Sequence, residues 1–152
     1  MSTATGTATE NTTVMAKVGK PAPDFTMPST KNMETLAEPV KLSDYKGKWL
    51  ILLFYPLDFT FVCPTELTAF SDRLDELNGV GAEVIGISTD SVHSHRAWIK
   101  TPRDKNGIEG LQYPLASDVG GKLARAYNIL VEEANIALRG LYIINPDGVL
   151  QY

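Results

Sequence analysis

The fold is decided by one apolar stretch, Trp49-Leu50-Ile51-Leu52-Leu53-Phe54-Tyr55. A strand with one solvent-exposed face alternates apolar and polar residues, whereas this stretch is apolar at every position. That pattern is typical of a central strand that is covered on both of its faces. Pro56 follows directly and is expected to end the strand, because proline has no amide hydrogen to donate to a sheet.

A helix is predicted to begin a few residues after this strand. The segment Cys63-Pro64-Thr65-Glu66 has proline and glutamate where the first turn of a helix favours them, at positions N1 and N3. Apolar residues then recur at helical spacing as far as Gly79: Leu67, Phe70, Leu74 and Leu77. We therefore expect a strand, a loop of about seven residues and one continuous helix with Cys63 at its start.

The remaining elements are predicted from the same periodicities. They are a strand over residues 83–88, a helix from Ser91 to about Lys100, a short helix over 118–127, a strand over 138–144, and a turn at 145–148 that leads into a returning strand. Strands that alternate with helices and end in a hairpin favour an α/β sandwich built on a mixed β-sheet.

Length and composition limit the other possibilities. The chain has 152 residues, a net charge of −4 and 43% hydrophobic residues, which suits one globular domain. Residues 1–17 are predicted to be a disordered tail and residues 18–152 the domain. Without a basic run or an apolar run of about 18 residues, we expect neither nucleic acid nor a membrane as a partner.

Cys63 is the single cysteine of the sequence, which excludes an internal disulfide framework. A thiol reacts as its thiolate, and the unpaired amides at a helix N-terminus favour an anion. From the residues alone, a reactive thiol and a buried structural thiol remain comparable interpretations.

Cofactor and metal signals are weak. His93 and His95 would form a metal site only with further ligands, and the spacing of the sequence suggests none. Phosphate-loop, haem and flavin motifs are absent from the sequence as well. We therefore expect no cofactor and no metal.

The residues around Cys63 carry a resemblance that goes further. The segment Phe54-Tyr55-Pro56-Leu57-Asp58-Phe59-Thr60-Phe61-Val62-Cys63-Pro64-Thr65-Glu66 resembles the active site of typical two-cysteine peroxiredoxins, the group that includes the bacterial alkyl hydroperoxide reductase peroxidase subunit. The family pattern of Pro, three residues, Thr, two residues and Cys falls on Pro56, Thr60 and Cys63. Arg139 matches the family's catalytic arginine. The resemblance implies a thioredoxin-like sandwich with a central mixed β-sheet flanked by helices.

The resemblance also implies a role for each of these residues. Cys63 would attack a peroxide oxygen and become a sulfenic acid. Arg139 would lower the pKa of that thiol and stabilise the charge that develops on the peroxide. Thr60 would hydrogen-bond the thiolate and the peroxide, Pro56 would shield the site from water, and Glu66 would orient the arginine.

Each of these residues also has an ordinary structural explanation. Arg139 suits a salt bridge at a strand end, Thr60 suits a turn, and Pro56 ends a strand. Glu66 suits the acidic position of a capping box. Glu66 also stands where a thioredoxin-type Cys-x-x-Cys motif would have its second thiol, which excludes a dithiol mechanism and argues against a thioredoxin-like metal or redox adaptor.

Partners follow from the resemblance too. Hydrogen peroxide, organic hydroperoxides and peroxynitrite would be substrates, and thioredoxin or a flavoprotein disulfide reductase would be the electron donor. Relatives form homodimers and decamers, and the expected location is the cytoplasm.

The sequence departs from the family in one respect. Typical two-cysteine members carry a resolving cysteine in a C-terminal segment, and this sequence, which ends at Tyr152, contains no second cysteine. Either the chain is truncated, which we favour because it ends within a hairpin, or an external thiol completes a one-cysteine cycle. A catalytically impaired fragment or a chaperone-like holdase is the competing function.

Overall fold

A computed structural model describes residues 14–60 and 63–152, and it describes Cys63 by its backbone alone. The elements, in chain order, are β1 (Thr26–Met27), β2 (Val40–Lys41), β3 (Trp49–Phe54), α1 (Cys63–Asp72), α2 (Leu74–Gly79), β4 (Ala82–Ser88), α3 (Val92–Ile99), β5 (Leu115–Ser117), α4 (Lys122–Ala126), β6 (Leu130–Val131), β7 (Ile136–Ala137) and β8 (Gly140–Ile144).

The centre of the fold is a four-stranded mixed sheet with the strand order β5-β4-β3-β8. Strands β3, β4 and β5 run parallel to one another, and β8 pairs antiparallel with β3. The parallel pairs are connected through helices, as parallel strands require. The predicted α/β architecture with a central mixed sheet is confirmed.

The uniformly apolar strand β3 is explained by two apolar clusters, one on each face of the sheet. Leu50, Leu52 and Phe54 belong to one cluster, which includes residues of α4, and the alternate residues 51, 53 and 55 belong to the other, which includes Leu67 of α1 and Trp98 of α3. Successive strand residues point to opposite faces, so every position of β3 is covered except Trp49 at its start. Trp98 is fully buried within the second cluster.

The helical prediction differs from the structure in two places. The expected continuous helix is interrupted at Arg73, which has φ −110° and ψ 15°, and it forms α1 and α2 instead. The interruption coincides with a tertiary contact, because the amide of Gln112 donates to Ser71 Oγ at 2.9 Å beside the break. The helix predicted over residues 118–127 is shorter in the structure and spans only α4. Asp118 lies before this helix, and its carboxylate accepts hydrogen bonds from the amides of residues 123 and 124 in the first turn.

Short strands account for the other differences. Strand β5 and the β6–β7 hairpin were not predicted from the sequence, because strands of two or three residues are too short to show a periodic pattern. Strand β8 begins at Gly140 rather than at residue 138, so Arg139 immediately precedes the strand. At the N-terminus, the amide of Ala16 donates to the carbonyl of Ala126, and the boundary between a tail of residues 1–17 and the domain stays a prediction.

One glycine outside the helices and strands is required by close packing. A Cβ atom at Gly107 would overlap the backbone carbonyl group of Thr101, whereas a Cβ at Gly79 would meet nothing within 4 Å. We expect Gly107→Ala to lower the free energy of unfolding by at least about 2 kcal/mol, the scale of an overpacked site. Gly79→Ala is the matched control and should not destabilise the protein. Urea unfolding of both variants measures the difference, and equal midpoints would contradict the expectation.

Candidate active site

The candidate site lies at the edge of the sheet where β3 ends. Carboxyl ends of parallel strands meet at one edge of a sheet, and binding sites in open α/β sheets occur at that edge. Strand β8 runs the opposite way, so its beginning reaches the same edge, and Phe54 pairs with Gly140. This register brings Arg139 next to the loop that connects β3 to α1. Arg139 and the end of β3 are far apart in sequence, and the antiparallel pairing brings them together.

Cys63 is the first residue of α1. Its backbone position therefore agrees with the expected start of a helix, where unpaired amides favour a thiolate. The side chain of Cys63, together with Phe61 and Val62, lies outside the described residues. The proposed chemistry of the thiol consequently rests on the residues around it.

Arg139 and Glu66 form an ion pair across the edge of the sheet. The guanidinium Nη1 donates to Glu66 Oε1 at 2.8 Å, and the two side chains are 40% and 50% exposed. An exposed ion pair of this kind contributes about 0–1 kcal/mol to stability. The contact places the Glu66 carboxylate against one side of the guanidinium. The carboxylate of Glu66, which a capping box would direct to the start of α1, contacts Arg139 instead.

A pocket opens beside this ion pair. It has a volume of about 320 Å³ and an apolar wall, and both Arg139 and Glu66 line it: Leu53, Phe54, Tyr55, Glu66, Leu67, Phe70, Arg139, Gly140 and Leu141. Most of the wall belongs to β3, α1 and β8, so the sheet and the Cys63 helix form it together. A small, weakly polar substrate would meet a positive charge within an apolar surrounding there.

Pro56 and Thr60 lie in the loop between β3 and α1. Pro56 is half-buried and follows the end of β3 by two residues, in agreement with a strand terminator. The hydroxyl of Thr60 donates to the carbonyl of Leu57 at 3.1 Å, which is the turn contact expected of a threonine in a loop. The carbonyl of Thr60 accepts from Asn106 Nδ2 at 3.2 Å, so the loop is tied to the segment after α3.

Sequence reasoning missed a buried polar group beneath this loop. Asp58 Oδ2 lies 2.8 Å from His95 Nδ1, and both side chains are almost completely buried. The hydroxyl of Tyr55 donates to Asp58 Oδ1 at 2.7 Å. Burial, and then the charge of Asp58, hold the pKa of Tyr55 well above its usual value, so this hydroxyl remains a donor. The available signal was the charged residue Asp58 within an apolar segment.

Asp90 extends the buried group. Burial raises the pKa of Asp90, and the hydrogen bond that its carboxylate accepts from Ser88 opposes that shift. The carboxylates of Asp58 and Asp90 and the imidazole of His95 are, within the described ranges, the one set of three ligand atoms close enough to hold a metal ion. These atoms already hydrogen-bond to protein groups, so we interpret them as a closed polar cluster.

None of the helices in the described part of the chain is both long enough and apolar enough to cross a membrane.

Comparison with known proteins identifies the family of this chain. The AhpC/TSA family profile matches residues 18–152. Peroxiredoxin-2 of Pongo abelii is 51% identical over 136 residues, which cover 90% of this chain and 76% of that protein. The chloroplastic 2-Cys peroxiredoxin of Hordeum vulgare is 51% identical over 136 residues, covering 89% of this chain and 64% of that protein.

The solved structures agree with the sequence comparisons. The reduced 2-Cys peroxiredoxin of Plasmodium vivax superposes with a TM-score of 0.83 at 38% identity, covering 89% of this chain and 82% of that one. AhpC of Enterococcus faecalis has a TM-score of 0.81 at 33% identity, covering 91% of this chain and 80% of that one.

The central mixed sheet, the helix that begins at Cys63 and the superposition on solved 2-Cys peroxiredoxins define the class as thioredoxin-like thiol peroxidases. The chain belongs to the AhpC/TSA family, and it is accordingly a peroxiredoxin, a thiol peroxidase with an antioxidant function.

Proposed function

We propose that this protein reduces hydrogen peroxide and small organic hydroperoxides with Cys63 as the peroxidatic nucleophile. Peroxiredoxin activity belongs to the family, and the assignment to Cys63 follows from its being the single thiol of the sequence. The observation that carries the proposal is the Arg139–Glu66 pair, which lines an open pocket against the helix that Cys63 begins.

The reaction is a displacement at oxygen. The Cys63 thiolate attacks one oxygen of the peroxide, an S–O bond forms, and the O–O bond breaks. The second oxygen leaves as hydroxide or alkoxide and takes up a proton to give water or an alcohol. Cysteine is oxidised to sulfenic acid and the peroxide is reduced, so atoms and electrons balance.

Arg139 is proposed to stabilise the negative charge of the thiolate and of the departing oxygen. A guanidinium presents several N–H donors in a fixed plane, and Glu66 holds that plane from one side. Electrostatic stabilisation of this type acts most strongly where surrounding apolar groups exclude water. The apolar wall of the pocket supplies such surroundings.

Thr60 and Pro56 are proposed to shape the approach to the thiol. The Thr60 hydroxyl is three residues before Cys63 and would exchange its turn contact with Leu57 for the thiolate or the peroxide. Pro56 has no amide hydrogen and is half-buried at the entrance of the loop. It would restrict the access of water to the sulfenic acid.

Regeneration of the 152-residue chain requires a thiol from another molecule, since Cys63 has no second cysteine to pair with in this sequence. That thiol condenses with the sulfenic acid to a disulfide and water, and a further thiol reduces the disulfide. We propose thioredoxin or a flavoprotein disulfide reductase as the donor, a homodimer or decamer as the assembly, and the cytoplasm, a reducing compartment, as the location. Thioredoxin as the donor is supported by a structural relative from Plasmodium yoelii that is named thioredoxin peroxidase I.

The proposal is tested by trapping the sulfenic acid. The reduced chain is treated with one equivalent of hydrogen peroxide in the presence of dimedone, and the intact mass and the modified peptide are determined. We expect rapid formation of a single adduct on Cys63, at a rate far above that of free cysteine. A chain that forms the adduct no faster than free cysteine would contradict the proposed function.

A further inference from the structure

The loop that leads to Cys63 lies over a buried cluster centred on Asp58. Its carboxylate accepts from the Tyr55 hydroxyl at 2.7 Å and from the Ser94 hydroxyl at 2.8 Å, and it lies 2.8 Å from His95 Nδ1. The side chains of Asp58 and His95 are 1% and 0% exposed. Burying a carboxylate and an imidazole is unfavourable unless their polar atoms are paired, and here the pairing joins the loop to the helix that carries His95.

The hydrogen-bond pattern determines where one proton lies. His95 Nε2 is 2.9 Å from the carbonyl oxygen of Ala116, which can only accept, so Nε2 carries a hydrogen. His95 Nδ1 faces the carboxylate of Asp58, so a second proton lies between these two atoms. His95 therefore links Asp58, in the loop, to Ala116, in strand β5, through both of its ring nitrogens.

The backbone of the loop is fixed from the same side. The amide of Asp58 donates to Asp90 Oδ2 at 2.8 Å, and Ser88 donates to that same oxygen at 2.6 Å. Asp58 is thus held in two ways, by His95 through its side chain and by Asp90 through its main-chain amide. Asp90 follows β4, so the sheet itself provides this second anchor.

Phe59 and Thr60 of the loop are held by the helix that carries His95 and by the segment after it. Phe59 has a left-handed φ of 64°, which is uncommon for a phenylalanine, and its ring lies 5.9 Å from that of Trp98 in α3. Asn106 donates to the carbonyl of Thr60 at 3.2 Å. Residues on both sides of Phe59 are therefore held, and Asp58 stands only two residues before Thr60.

We propose that His95 is a positioning residue for the peroxidase reaction, because it fixes through Asp58 the loop that presents Thr60 and Cys63 to the peroxide. This inference rests on the proposed role of Cys63. His95 does not contact the substrate; it determines the geometry of residues that do. A displacement of about 1 Å within an active site lowers a rate by about a hundredfold, so a buried anchor of this kind has a large effect on catalysis.

The test separates the two contacts of the imidazole. In His95→Asn the amide nitrogen takes the place of Nδ1 and can still donate to Asp58, whereas in His95→Gln it takes the place of Nε2 and reaches Ala116 instead. His93→Asn, an exposed position on the same helix, is the matched control. For each protein we compare the rate of Cys63 with hydrogen peroxide and its rate of alkylation by iodoacetamide.

Peroxide reduction needs the thiolate and its placed neighbours, whereas alkylation needs an accessible thiolate alone. We expect His95→Gln to lower the ratio of the peroxide rate to the alkylation rate by about a hundredfold, the scale of a misplaced active-site group. His95→Asn is expected to lose less than tenfold, and His93→Asn to match the parent chain. A stable fold of each variant is checked by urea unfolding.

Three outcomes would overturn the inference: unchanged ratios in both variants, a greater loss in His95→Asn than in His95→Gln, or a parallel fall of both rates. Where the His95 variants do not fold, or both lose the ratio equally, Tyr55→Phe decides, because it removes the hydroxyl that donates to Asp58 and lies 3.4 Å from His95 Nδ1. We expect a fall of the same ratio there, and an unchanged ratio contradicts the inference. A parent chain whose Cys63 does not react with peroxide would refute the proposed function instead.

Discussion

Cys63→Ser is expected to abolish peroxide consumption. A serine hydroxyl is not ionised near neutral pH and its oxygen is a poor nucleophile towards peroxide, whereas a thiolate reacts by direct displacement. The chain contains no second cysteine that could substitute for Cys63. The measurement is the loss of hydrogen peroxide in the presence of excess thiol reductant, corrected for the reaction of the reductant alone.

Thr65→Ala provides the control for this variant. Thr65 is an exposed residue two positions further along the same helix, and its replacement should leave the rate unchanged. Peroxide consumption by Cys63→Ser at a rate close to that of the parent chain would mean that another group performs the reaction. In that case the assignment of the nucleophile would be wrong even though the family is established.

Arg139→Ala is expected to lower the second-order rate with hydrogen peroxide by about 100- to 1,000-fold, the effect of one lost donor to a developing oxyanion. The variant should also raise the pKa of the Cys63 thiol, because an adjacent positive charge favours the thiolate. Both effects have the same direction at neutral pH, since a smaller fraction of the thiol is ionised and each thiolate reacts more slowly. Stopped-flow kinetics over a range of pH values measure them together.

Two further arginine variants make this test specific. Arg139→Lys keeps the charge but loses the planar arrangement of donors, so we expect an intermediate rate. Arg125→Ala removes an arginine of similar exposure that pairs with Glu132 through two hydrogen bonds of 2.9 and 3.0 Å, away from the site. It should leave the rate unchanged. Equal rates for Arg139→Ala and Arg125→Ala would show that Arg139 has no catalytic role.

The parts of the fold that the sequence predicted best are those with a strong local pattern. The apolar run before Pro56 identified β3, and the alternation of its residues between two clusters explains why no polar residue interrupts it. Ser91 caps α3 as expected, with its hydroxyl accepting from the amide of Ser94. A cap of this kind depends on residues within one turn, so it can be recognised without knowledge of the rest of the molecule.

The parts that were missed depend on distant residues. No glycine or proline stands between Thr65 and Asn78, so nothing in the sequence marks the break at Arg73. The contact of Asp58 with His95 joins residues 37 positions apart, and the pairing of Glu66 with Arg139 joins residues 73 positions apart. The partner of a carboxylate cannot be read from the sequence when the packing of a helix against a sheet brings the two residues together.

Local sequence patterns were enough to predict the α/β class, the central strand and the beginning of a helix at Cys63, and the motif around Cys63 was enough to predict the family. These properties depend on residues close together in the chain, and their physical basis is local: apolar periodicity, helix capping and turn formation. Tertiary structure decided which groups surround the site. The antiparallel register of β8 brought Arg139 to Glu66, and the packing of α3 buried His95 against Asp58. Both arrangements depend on contacts between residues that are far apart in the chain. Such contacts form when helices and strands pack together to bury the sheet, and no local sequence pattern predicts them.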